Sequence, residues 1–163
     1  MATTKSVLRT AQDESDYKLH TKPSMLPAQQ RVMRGEDSYT CLGTEVTGDK
    51  IDLYFPRTEN LKLIPEQCRI TNPTGSGSVI IGAKLQKVAT DANGTETVTD
   101  LTAVADVSNN SVAFARISDG SLPVIGANDS LRVLLSTTAS TTFTMAAGQV
   151  INFELQGVAP GAL

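Results

Sequence analysis

From residue 39 to its end, the chain repeats one pattern: a short stretch of alternating apolar and polar residues, then a turn signal. In KIDLYFP, Ile51, Leu53 and Phe55 share one face and Pro56 closes the run. In SVIIGAKLQKV, Val79, Ile81, Ala83 and Leu85 point one way while Ser78, Gly82, Lys84 and Gln86 point the other. Leu131, Val133 and Leu135 repeat the pattern, as do Ile151, Phe153 and Leu155. Side chains alternate between faces only in an extended strand, so period two means strands with one buried face. The punctuation agrees. Asn72-Pro73 precedes a strand, Asn93-Gly94 reads as a two-residue hairpin turn, and Asp119-Gly120 and AAGQ at 146–149 end others. No stretch of useful length carries a helical period. About eight short strands at this spacing predict an all-β, jelly-roll-like sandwich over residues 39–163.

The core of such a sandwich must be aliphatic. Hydrophobic residues are 40% of the 163, aromatics only 4%, and Trp is absent. The expected core is Leu53, Phe55, Ile70, Val79, Ile81, Leu85, Phe114, Leu131, Val133, Leu135, Ile151, Phe153 and Leu155. Cys41 and Cys68 form no C-x-x-C pair and have no nearby His, so they read as two buried free thiols, with a disulfide between adjacent strands as the other reading.

Residues 1–38 differ. Residues 1–69 hold 20 of the 31 charged side chains, and the first 34 residues carry six basic groups against three acids. Their large apolar residues are scattered, so the segment has too little surface to bury to fold alone. It reads as an extended arm, with one short helix expected at 27–34, where Pro27 stands early and Gly35 just past the end. The start has no apolar core segment of a secretory signal, and no run reaches the roughly 18–20 apolar residues of a membrane span. Synthesis in a cytoplasm and no membrane partner are the expectation.

Chemistry is sparse. His20 is the only histidine and lies in the arm, which removes the usual general base and a histidine-built metal cage. The glycines of NPTGSGS lack the spacing and lysine of a phosphate loop. Asp119 and Asp129 stand beside Gly or Asn, Asp91 lies two residues before Asn93, and all three read as turn formers, with a loop calcium site at Asp91, Asn93 and Glu96 as a lesser reading. A net charge of −3 gives no whole-surface attraction to nucleic acid. The expectation is no enzyme activity and no cofactor. Glycan- or receptor-binding is the alternative; without Trp it would rest on a residue such as Tyr54.

The polar arm MATTKSVLRTAQDESDYKLHTKPSMLPAQQRVMRG, the weakly charged Ser/Thr/Ala/Val/Gly body and the closing hairpin TFTMAAGQVINFELQGV together resemble the capsid decoration (cement) and head-associated proteins of tailed bacteriophages. The resemblance implies a virion structural protein, made in the host cytoplasm, that forms dimers or trimers and clamps major capsid subunits. The arm would then carry the contacts. Arg9, Lys18, Lys22, Arg31 and Arg34 would meet acidic patches on the partner, and Val7, Leu8, Met25, Leu26 and Met33 would fill shallow apolar pockets.

Overall fold

The computed structural model describes residues 3–5, 31–55, 61–72, 81–107, 111–117, 121–136 and 145–159. In chain order the strands are β1 (Thr3–Lys5), β2 (Arg31–Thr40), β3 (Lys50–Leu53), β4 (Leu61–Leu63), β5 (Arg69–Thr71), β6 (Ile81–Thr90), β7 (Glu96–Asp100), β8 (Ala105–Val107), β9 (Ser111–Ala113), β10 (Val124–Ile125), β11 (Asp129–Leu135) and β12 (Val150–Ala159). A single 3-10 turn, Pro65–Gln67, separates β4 from β5. The chain is an all-β sandwich of two sheets, each with six strands among the described residues.

The first sheet runs β1-β3-β11-β6-β7, with β8 beside β7 on the same edge of β6. The second is built around β12. Along one side of β12 lies β2, paired from Val150↔Thr40 to Ala159↔Arg31. Along the other side lie β5 and β4, end to end, with β9 outside β5 and β10 outside β4. Among the described residues every strand pairing is antiparallel except β1 with β3.

The alternation explains the packing. Ile51, Leu53, Leu85, Leu131, Val133 and Leu135 of the first sheet meet Ile70, Ile151, Phe153 and Leu155 of the second in one buried cluster. Each such side chain contributes about 1.5–3 kcal/mol when fully buried. Eleven of the thirteen expected core residues lie in that cluster; Val79 lies outside the described residues, and Ile81 begins β6. The cluster also takes in Tyr39, Leu61, Leu63, Leu101, Ile125 and Met145. Cys41 and Cys68 are both buried free thiols. Burial, reinforced by Glu45, pushes the Cys41 thiol up to about 12, and burial raises Cys68 to about 11.

Three expectations need correction. The arm does not extend to residue 38, because Arg31–Thr40 is a ten-residue strand paired along all of β12. For the same reason residues 31–34 of the expected helix are extended; residues 27–30 lie outside the described residues. Ladder hydrogen bonds to β12 outweigh the helical reading of a Pro-to-Gly segment. The third concerns the hairpin at Asn93-Gly94. Asp91 N–H donates to Thr95 O at 3.0 Å, Gly94 N–H to Asp91 O at 3.0 Å, and only Gly94 has positive φ, at 82°. The loop is therefore three residues long, a type I turn closed by a left-handed glycine. Asp91 shapes it, its Oδ1 accepting from the N–H of Asn93 and of Thr95 at 2.9 and 2.8 Å. Asp129 does the same for its own turn, accepting from Gly126 N–H at 2.7 Å.

One buried acid fastens the edge of the second sheet. Asp37, 5% exposed, points inward from β2 and accepts from the N–H of Ser38 and of Tyr54, both at 2.8 Å. Tyr54 directly follows β3, so this carboxylate ties the second sheet's edge strand to the first sheet.

Candidate functional site

Inner and outer faces of the second sheet follow from its register. Phe153 lies opposite Asp37 and Ile70, so that row faces the core. The next row, one residue on, faces outward: Glu36, Glu154, Arg69 and Ala113 stand side by side across β2, β12, β5 and β9. Two glutamates are therefore directly opposed on neighbouring strands. Like charges in that position repel. The flanking row places Arg34 opposite Gln156.

These side chains line a shallow cleft of about 350 Å³, formed by Arg34, Glu36, Arg69, Glu154 and Gln156 together with Glu66 and Gln67 of the 3-10 turn. Part of the charge is already engaged. Arg69 Nε donates to Ser111 Oγ at 2.8 Å and its Nη2 to Ser111 O at 3.2 Å. Glu66 accepts from Arg116. Burial acts to raise the Glu66 carboxyl, but a backbone hydrogen bond and Arg116 together hold it below the usual carboxylate range. Arg34, Glu36 and Glu154 are exposed, and their side chains make no ion pair among the described residues. The cleft thus offers two cations, Arg34 and Arg69, and two anions that no ion pair neutralises among the described residues. Of the cations only Arg69 stands beside an anion of the row, opposite Glu154.

The outer face of the first sheet is organised differently. Arg132, on β11, is 4% exposed although it points away from the core. Its Nε donates to Asp52 at 2.6 Å, and its two terminal nitrogens fork onto Glu96 at 2.8 and 3.0 Å. The hydrogen bonds from Arg132 hold Glu96 below its usual range despite some burial. Beside it Lys84 donates to Asp100 at 2.5 Å and Gln86 to the same carboxylate at 2.6 Å. Glu96 is thus committed to Arg132, and Asp91 Oδ1 to backbone N–H groups, so two of the three residues considered for a calcium loop are occupied within the fold.

The ten residues expected to bind a partner divide by position. Val7, Leu8, Arg9, Lys18, Lys22, Met25 and Leu26 lie outside the described residues. Arg31, Met33 and Arg34 lie on β2. Met33 faces inward and packs, partly buried, against the core. Arg34 faces outward into the cleft. Glu36, Glu154 and Arg69 escape a sequence reading. Glu154 is recognisable as the outward member of VINFELQGV, but nothing local reveals that Glu36 stands across from it. Among the described residues no group of three or more His, Cys, Asp or Glu is arranged to hold a metal ion. The arrangement is suited to binding a charged, extended surface.

No known protein-family model matches this chain, and no curated protein sequence matches it.

Proposed function

We propose that this chain is a non-enzymatic virion structural protein that decorates and stabilises a phage capsid by binding major capsid subunits. The observation that carries the proposal is the outer face of the second sheet, where Arg34, Glu36 and Glu154 present unneutralised charge of both signs beside the start of β2. In sequence the arm leads directly into β2, the strand that carries Arg34 and Glu36. Thr3–Lys5 pairs in parallel with β3, adding a strand to a sheet edge within the chain itself, and this supports strand addition as a means by which the arm binds.

The strand order supports the jelly-roll reading. The order β2, β12, β5 with β4, then β9 with β10 faces β3, β11, β6, then β7 with β8. Viral capsid domains and lectins both use that architecture, so the fold alone does not choose between them. The cleft does favour one. Its lining contains no aromatic side chain on which a sugar ring could stack, whereas charges of both signs suit a protein surface.

The test is co-sedimentation of the purified chain with capsids lacking it, beside a variant without residues 1–30. The full chain should pellet with capsids and the truncated one should bind far less. Absence of the full chain from the pellet would overturn the proposal, and glycan-array binding lost in Tyr54→Ala would replace it with receptor recognition.

A further inference from the structure

We infer that β2 is a two-fold interface, along which a second copy of this chain pairs antiparallel about Gly35. The inference goes beyond the capsid reading and does not depend on it.

Among the described residues β2 pairs with β12 alone, so no described strand lies along its other edge. The direction of the backbone groups on that edge can be read. Cys41 N–H continues the ladder to Gln149 O at 2.7 Å, whereas Ser38 N–H is turned off the ladder and taken by Asp37. Odd residues therefore direct N–H and C=O toward β12, and even residues direct theirs outward. Val32, Arg34 and Glu36 present those groups on a ten-residue strand, long enough to template another chain.

A two-fold axis perpendicular to the sheet must pass through a residue position, because only then do paired residues keep the same face. With the axis at Gly35, Arg34 of one copy lies opposite Glu36 of the other, twice. Both are even residues, so each pair exchanges both of its backbone hydrogen bonds. With the axis at Arg34 two arginines oppose each other, and with the axis at Glu36 two glutamates do. Gly35 is the one centre on Arg31–Thr40 that matches both charges. It also lies near the middle of the strand, so Arg31 through Tyr39 pair in full.

This register answers the defect on the outer face. Glu36 stands beside Glu154 with no cation between them. In the dimer the second copy's Arg34 takes the other side of Glu36, and the row reads Arg69, Glu154, Glu36, Arg34 across the junction. Asp37, facing inward in the adjacent row, already holds two N–H donors and needs no solvent there.

Sedimentation of the full chain should give a particle about twice the 17.3 kDa of one copy. Arg34→Glu and Glu36→Arg should each raise the dissociation constant by about ten-fold or more, as two attractive ladder pairs become repulsive. An equimolar mixture of the two variants should dimerise again, because positions 34 and 36 facing each other across the axis then hold one acid and one base in both pairs. The double variant Arg34→Glu/Glu36→Arg should pair with itself. A variant that merely misfolded would restore nothing on mixing. A parent monomeric at high concentration, a three-fold particle, or single variants that dimerise like the parent would each overturn the inference.

Discussion

The outer faces of the two sheets handle charge in opposite ways. On the first, Arg132 is held by two carboxylates and Asp100 by Lys84 and Gln86, so the charge is neutralised within the fold. On the second, two glutamates oppose each other and an arginine one row away joins neither. Similar residue types on similar strands thus do different work. A buried guanidinium needs its partners because unpaired charge out of water is costly. An exposed charge loses little by waiting for a partner, since water screens it. On the proposed reading, the second sheet is the face that meets other molecules.

The most severe way to break this comparison is to remove the second face's edge. Deleting residues 1–38 should abolish cooperative thermal unfolding, because it removes most of β2 and the Asp37 clasp. Deleting 1–30 should leave a cooperative transition. Circular dichroism melts of the two truncations distinguish a boundary at 31 from one at 39. Next in size is the layer between the faces: Phe153→Ala should cost about 3–5 kcal/mol in denaturant unfolding, and a cost near zero would mean that β12 presents its other face to the core.

Smaller effects separate the faces themselves. Arg132→Met should destabilise by about 2–3 kcal/mol, below the full cost of breaking a buried pair because Glu96 is half-exposed. It should also flatten the acid limb of stability. Glu96 titrates below its ordinary 4.5 in the folded chain, so its contribution is present above about 4.5 and is lost as pH falls through the lower folded value. The parent should therefore lose stability over that acid range, and Arg132→Met should lose less. Glu36→Gln should give the smallest change and the opposite sign, a gain of about 0.2–1 kcal/mol in dilute protein, shrinking with added salt. A loss of stability there would show that Glu36 is already paired.

Much of the first sheet and of β12 was legible from residue pattern. β6, β11 and β12 alternate with large aliphatic residues at their inward positions, and their turns carry the Gly and Asp that such turns need. β2 was not legible. Its inward positions are Met33, Gly35, Asp37 and Tyr39, so the apolar half of the alternation is mostly missing. Asp37 reads as a surface charge until Tyr54 is seen to supply its N–H. Arg34 could be singled out as a basic residue of the arm, but its place on a sheet face could not.

The sequence by itself determined the class of fold, the aliphatic core and the place of turns such as Asp91–Thr95, though not that turn's length, since a strand's two faces and a turn's residue types are set a few positions apart. Only the tertiary structure decided where the arm ends and which charges stand together. Those depend on register between strands far apart in the chain, such as Glu36 beside Glu154 and Arg132 beside Glu96. Register is fixed by the fit of the whole core and leaves no mark on the residues it brings together.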